Sequence, residues 1–263
     1  MQVALISLDQ CWENKAANKI VCSEISHRVM NKYPEVDIII YPEMTLTGFS
    51  MKNPLLPEPT NNSVSMNFFK QLSESTKCTH VFGHSVKENE VLFNRCSAVN
   101  HRGHKLAAYD KMHTFSFAGE SNLYSRGNKV AQFEVNQVNI GLSICFDLRF
   151  PELYGCYRES CEMVINIANW PASRKEHWDT LLRARSIENQ YYMIGVNRIG
   201  VDGNNIEYQY SSAVYNPLGE LCAPIFKENG IDIYDLDLGM VDDIRNQFPF
   251  INDRRNKIYK KFN

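Results

Sequence analysis

The sequence predicts a mixed fold of the α/β or α+β class, on three observations. Met1–Leu8 and Val36–Tyr41 read as buried strands on either side of a helix-patterned stretch, a βαβ unit that sets two strands parallel. Val138, Ile140, Leu142 and Ile144 alternate with small or polar residues, the period of a half-buried strand, and Pro151 follows where a helix would begin. No repeat, low-complexity tract or linker divides the 263 residues, so 1–263 is expected to form one domain with a charged tail from about residue 239.

Taken in order, Asn14 to Tyr33 carries apolar residues at Ala17, Ile20, Val21, Ile25, Val29 and Met30, which is helical spacing closed by Pro34. Val36–Tyr41 is a short continuous apolar run, the mark of a strand covered on both faces. Residues 51–59 read as a loop and 63–76 as a helix. Strands follow at 81–86 and 92–100, and the turn His101-Arg102-Gly103 leads into 105–109 as a hairpin. The stretch Thr114 to Asn128 is a long loop, and loops of that length are usually functional or disordered. Residues 130–135 hairpin into the Val138–Ile144 strand. Past the Pro151 helix come a buried strand at 163–168, an amphipathic helix at 177–190 with Trp178 in the core, and strands at 192–196, 208–215, 221–226 and 231–236.

Composition excludes several classes. With 44% hydrophobic and 22% charged residues and a net charge of −2, the chain has no electrostatic footprint for nucleic acid or an anionic membrane. No apolar run is long enough to span a bilayer, and Met1–Leu8 lacks the basic region of a signal peptide. The eight cysteines are scattered without a CxxC pair, and the seven histidines show no HExxH; the one i, i+4 pair, His80 and His84, falls on a strand-patterned run and not on a helix face. A reduced, cytoplasmic protein without metal or other cofactor is the expectation.

Four polar residues fall at strand ends or in the loop beside them: Glu43, Lys111, Glu120 and Cys145. In α/β sheets the carboxyl edge is where ligands bind. A thiol there is open to substrate, and a nearby cation or helix N-terminus would lower its pKa from ~8.5. Each residue alone has a plainer reading, a core cysteine, a solvated loop glutamate or a surface lysine. Together they meet the needs of amide hydrolysis through a thioester. The nucleophile must lose a proton, the oxyanion needs positive charge or N–H donors, and the leaving amine must be protonated. A glutamate can move that proton both ways when burial lifts its pKa toward neutrality.

The motifs Tyr-Pro-Glu43-Met, Tyr-Asp-Lys111-Met-His and Cys145-Phe-Asp-Leu-Arg-Phe-Pro-Glu, in that order, resemble the nitrilase superfamily of carbon–nitrogen hydrolases from residue 3 to about 250. The resemblance implies a four-layer αββα sandwich and a homodimer, with the tail around Phe248-Pro249-Phe250 available to the dimer contact. It implies Glu43 as general base, Lys111 as oxyanion stabiliser, Cys145 as nucleophile, Glu120 as the second glutamate and the Phe146 N–H as a second oxyanion donor. Asn169-Trp-Pro-Ala-Ser-Arg, His177-Trp, Ala184-Arg-Ser-Ile-Glu-Asn-Gln and Asn197-Arg-Ile-Gly are similar to the bacterial omega-amidases, which remove the side-chain amide of 2-oxoglutaramate or 2-oxosuccinamate. Such substrates are anionic, so Arg149 is the candidate carboxylate clamp, against the alternative of an internal pair with Asp147 or Glu152; Asn169 and Trp170 are expected to line the pocket. The competing readings are a deaminated-glutathione amidase and a catalytically idle binding or scaffold protein on the same fold. A papain-like protease is disfavoured because Cys145 lacks the local signature.

Overall fold

Alternation along the strands sets up the layering. The computed structural model describes residues 1–53, 55–259 and 261. In the strand Gln2–Ile6, Val3 and Leu5 enter one hydrophobic cluster and Ala4 and Ile6 another. In Val36–Ile40, Ile38 and Ile40 part from Ile39 in the same way. Successive strand residues point to opposite faces, so this sheet is covered on both sides. Its outer face meets Cys22 and Val29 of the helix Lys15–Lys32 and Phe69 and Leu72 of the helix Val64–Thr76. Its inner face shares a core with Ile140, Leu142 and Ile144 of the second sheet. Trp178 and Leu182 of the helix Lys175–Asn189 lie against Gly195, where a Cβ would come within 2.4 Å of Leu182 Cδ1. The result is the αββα sandwich.

The first sheet has eight strands, in the order Phe226–Glu228, Ile231–Asp235, Gln2–Ile6, Val36–Ile40, Thr79–Glu88, Val91–Val99 and Lys105–Asp110, with Glu58–Pro59 beside Thr79–Glu88. The second has five: Ala213–Tyr215, Tyr192–Asn197, Met163–Ala168, Val138–Ile144 and Gln132–Val135. Val36–Ile40 runs parallel to both its neighbours, and Val138–Ile144, Met163–Ala168 and Tyr192–Asn197 are mutually parallel. Their carboxyl ends therefore gather on one edge, where residues 43, 145 and 169 follow and Asn197 ends its strand. The helix starts are capped by Asn14 accepting from the Ala17 N–H and Ser63 from the Met66 N–H, both at 3.0 Å.

Several elements differ from the sequence reading. The 221–226 strand is absent: Pro224 has no N–H to give a ladder, so Leu221 makes only a bridge to Tyr215 and pairing resumes at Phe226–Glu228. The 208–215 run splits into Glu207–Tyr208 and Ala213–Tyr215, because the Ser211 and Ser212 hydroxyls bond to Asn197 instead of extending the ladder. The long loop holds two 3₁₀ turns, Ser116–Ala118 and Glu120–Asn122, joined at Gly119 with φ of 78°. The helix at Pro151 is short, Pro151–Gly155, and a 3₁₀ turn, Cys145–Arg149, precedes it. The tail forms the helix Gly239–Gln247, a turn Phe250–Asp253 and the helix Asn256–Tyr259; Pro54 of the 51–59 loop and Lys260, Phe262 and Asn263 of the tail lie outside the described residues. Among the described residues, no helix is long and apolar enough to cross a membrane.

Candidate active site

Glu43 follows the strand Val36–Ile40 by a tight passage that Gly83 permits. A Cβ at Gly83 would sit 2.4 Å from the Met44 nitrogen and 2.8 Å from Glu43 Cα. Main-chain and hydroxyl bonds between Thr45 and Gly83 clamp the passage, and Gln10 Nε2 donates to the Glu43 and Met44 carbonyls. Lys111 extends from the end of Lys105–Asp110, with its N–H on the Asn94 carbonyl. Glu120 is turned inward by the second 3₁₀ turn, and the Tyr124 N–H fixes its carbonyl.

These side chains meet in the dry interior: Glu43 and Glu120 are 0% exposed and Lys111 1%. Lys111 Nζ donates to Glu43 Oε1 at 3.0 Å and Glu120 Oε2 at 2.8 Å. Asn94 Nδ2 bridges the same pair, to Glu43 Oε1 at 2.7 Å and Glu120 Oε1 at 2.8 Å. The Asn169 N–H reaches Glu43 Oε2 at 2.9 Å, and the Phe115 N–H reaches Glu120 Oε2 at 2.6 Å. One ammonium thus sits between two carboxylates, each with three donors. Burial pulls the Lys111 ammonium down, but the charges of Glu120 and Glu43 outweigh it and hold the amine above its ordinary range.

Cys145 begins the turn after Val138–Ile144 in a left-handed conformation, φ 46°, and Met44 beside Glu43 has the same φ. Such backbone is uncommon for residues other than glycine and is held by its surroundings. Asp147 supplies that hold. Its buried carboxylate accepts from the Ile144 N–H (3.0 Å), the Tyr109 hydroxyl (2.8 Å), and the His113 N–H and Nδ1 (2.9 and 2.8 Å). The turn that carries Cys145 is thereby tied to the segment that carries Lys111. From the other side, Arg185 donates twice to the Leu148 carbonyl.

The expectation of a lowered thiol pKa is corrected. Burial, then the charge of Glu43, pushes the Cys145 thiol well above its ordinary range, against a smaller pull from Lys111. Burial is the main reason, and Lys111, shared between two glutamates, offsets only part of it.

Cys145, Lys111, Phe146, Arg149, Asn169 and Trp170 line one cavity of about 410 Å³, with Glu43 and Glu120 behind Lys111. The remaining wall mixes the aromatic residues Phe49, Phe115, Phe117 and Tyr208 with the charged residues Lys52, Arg174 and Asp202. Phe146 packs on Phe115, ring centroids 4.8 Å apart. The Asn169 amide serves Glu43, donating to its carbonyl at 2.7 Å. The Arg149 guanidinium lies over Trp170, 4.9 Å from the ring centroid, with Nη2 3.3 Å from His177 Nδ1. The internal pair with Asp147 or Glu152 is not formed, since Asp147 is committed elsewhere and neither makes an ion pair with Arg149 among the described residues. Trp178 is core, with Nε1 on the Ser211 carbonyl. Sequence reasoning missed Asn94, the anchoring role of Asp147, and Arg174 in the pocket wall. A signal existed for Asn94, since asparagine is depleted within strands and this one is buried mid-strand. Among the described residues no group of three or more His, Cys, Asp or Glu side chains is placed to hold a metal ion.

Two face-to-face sheets with helices outside, and a cysteine, a lysine and two glutamates at their shared edge, define a hydrolase of the nitrilase-superfamily type. The chain belongs to the carbon-nitrogen hydrolase family, whose model matches residues 2–246, and is an enzyme that hydrolyses carbon–nitrogen bonds. It is similar to a "Hydrolase in agr operon" of Staphylococcus aureus, 33% identical over 99% of this chain and 100% of that protein. It is also similar to Omega-amidase YafV of Yersinia enterocolitica, 35% identical over 82% of this chain and 84% of that one. Among solved structures, a CN-hydrolase superfamily protein of Xanthomonas campestris with an arsenic adduct in its active site superposes with a TM-score of 0.88 at 26% identity, over 97% of each chain.

Proposed function

We propose that the protein is an omega-amidase, releasing ammonia from the side-chain amide of a small anionic 2-oxo acid such as 2-oxoglutaramate or 2-oxosuccinamate. The observation that carries this reading is the buried Glu43–Lys111–Glu120 network opening onto a pocket that holds both Cys145 and the arginine Arg149. The similarity to a relative named omega-amidase supports it. Because the thiol is neutral at rest, Glu43 takes its proton as sulfur bonds to the amide carbon, and the carbonyl electrons move to oxygen. Lys111 and the Phe146 N–H receive that oxyanion. Collapse breaks the C–N bond, and the nitrogen takes the proton from Glu43 and departs as ammonia. Water then gives a proton to Glu43 and attacks the thioester; the C–S bond breaks and sulfur recovers the proton. Glu120 holds Lys111 in place, and Arg149 holds the substrate carboxylate. No metal or cofactor takes part, and the reading includes a cytoplasmic homodimer of single-domain chains that buries the exposed Phe248 and Phe250.

The test is ammonia release over a panel: 2-oxoglutaramate, 2-oxosuccinamate, deaminated glutathione, glutamine and a simple nitrile. The highest kcat/KM is expected for one of the first two; preference for glutamine or the nitrile overturns the reading. The cavity, within the ~300–1,000 Å³ range of sites for drug-sized ligands, is roomy for so small an acid and makes deaminated glutathione the second reading.

A further inference from the structure

Arg174 ends the 3₁₀ turn Ala172–Arg174, which follows Trp170-Pro171 at the exit of the strand Met163–Ala168. Its carbonyl accepts from Trp170 Nε1 at 2.8 Å, so its backbone is fixed to the ring on which Arg149 stacks. Its guanidinium lies 5.6 Å from the Phe115 ring centroid, on the wall of the same cavity. Neither arginine has a carboxylate within ion-pair distance among the described residues. Burial, then the like charge of Arg174, pulls the Arg149 guanidinium below its ordinary range, so the two cations feel each other across the pocket.

The acid that could relieve them is already used. Asp202, the one carboxylate among the described residues lining the cavity, accepts from the Asn204 and Ile206 N–H groups and the Tyr208 hydroxyl. The cavity wall therefore carries two guanidiniums and the Lys52 ammonium without an ion pair among the described residues, against one carboxylate that is held by its own neighbours. An anion between the two guanidiniums gains from both, and a cation placed there meets like charge from both.

We propose that Arg174 is a specificity-determining residue that works with Arg149 as a twin clamp on the 2-oxo carboxylate end of the substrate, selecting 2-oxo acids against the corresponding 2-amino acids. One guanidinium takes the carboxylate and the other shares it with the 2-oxo oxygen. Both groups accept hydrogen bonds, which suits two donors-only side chains. Glutamine presents an ammonium at the position of that oxo group. It would stand beside the clamp, and no carboxylate in the wall is free to pair with it. Selection arises from repulsion of the wrong substrate as much as from attraction of the right one.

This inference rests on the omega-amidase reading, and the experiment separates the two. Arg174→Gln and Arg174→Lys are compared with the unaltered protein on 2-oxoglutaramate, glutamine and valeramide, a neutral amide of similar length. Arg174→Gln should lose roughly 10- to 100-fold in kcat/KM on 2-oxoglutaramate, mostly through KM, with valeramide turnover kept. The preference for 2-oxoglutaramate over glutamine should shrink by at least about tenfold, and Arg174→Lys should recover part of it. Equal losses on all three amides assign Arg174 to the scaffold and overturn the clamp, as does an unchanged KM for 2-oxoglutaramate. An unaltered protein that turns over valeramide but not 2-oxoglutaramate overturns the omega-amidase reading itself and the clamp with it.

Discussion

Replacing Asn94 by leucine removes one NH₂ group and two hydrogen bonds. That group donates at 2.7 Å to Glu43 and at 2.8 Å to Glu120, and solvent reaches neither carboxylate. Hydrogen bonds to charged groups contribute about 1.5–3 kcal/mol each. Both glutamates keep two donors: Lys111 serves both, the Asn169 N–H serves Glu43, and the Phe115 N–H serves Glu120. The combined loss therefore belongs at the low end, about 3 kcal/mol, because no carboxylate is stripped bare. For a chain of this length that lowers the melting temperature by about 6–12 °C. Glu43 also gains freedom to pivot about its remaining contacts. A displacement on the order of 1 Å costs about 100-fold in rate, so kcat should fall by that amount with KM nearly unchanged. Asn94→Asp goes further by adding a third carboxylate at neutral pH. Lowering the pH protonates the new acid and restores a donor, so its activity relative to the unaltered protein should rise toward acid. Steady-state ammonia release and thermal unfolding measure both variants. Unaltered kcat in Asn94→Leu would mean that Lys111 and Asn169 alone orient Glu43, and that the bridge is dispensable.

Cys145→Ala should abolish turnover with little loss of melting temperature; retained activity would remove Cys145 from the chemistry. Since burial and Glu43 push this thiol up, its alkylation by iodoacetamide should be slow at pH 7 and climb with pH above the ordinary thiol range; fast labelling at neutral pH contradicts the neutral resting thiol. Arg149→Lys keeps the charge but loses the planar fork, so kcat/KM should fall roughly 30- to 1,000-fold on 2-oxoglutaramate and little on valeramide, and equal losses would make Arg149 structural. His80 and His84 are held neutral by burial, pushed down to about 3, whereas the unfolded chain protonates them near 6.5. The unfolded state binds more protons between those values, so stability is fully present above about pH 6.5 and is lost as pH falls toward 3, by about 2 kcal/mol per histidine at pH 5. Denaturant unfolding at pH 7 and pH 5 reads this loss, and His80→Gln should flatten the slope. Dialysis against a strong chelator should leave ammonia release unchanged, and a loss restored by zinc would refute the metal-free mechanism.

Strand ends were readable because apolar period and punctuation both mark them. Val138–Ile144 ends one residue before Cys145, and Val36–Ile40 ends three before Glu43. Periodicity does not report what a side chain does once the strand is over. Pro224 and the serines at 211 and 212 broke two runs through hydrogen-bond chemistry that a hydrophobicity pattern does not encode. The motif order pointed to Glu43, Lys111 and Cys145, but Asn94 is joined to this group only by the fold, 51 residues from Glu43 and 26 from Glu120. The sign of the thiol shift also lay beyond the sequence. It depends first on how deeply the fold buries the thiol and then on how one ammonium is divided between two carboxylates.

The left-handed backbone at Met44 and Cys145 bears on how this protein would age if its activity were no longer needed. Left-handed geometry costs a side-chain-bearing residue roughly 1–2 kcal/mol relative to glycine. In the proposed mechanism the thiol is required, and while it is, that cost is retained at position 145. Once the requirement lapses, glycine or asparagine there becomes favourable for stability, and drift has a direction. Among chains of this fold, a glycine or asparagine at the position of Cys145 would then mark a lineage that has given up hydrolysis and kept the scaffold. Directed selection for heat resistance alone should find the same substitution early.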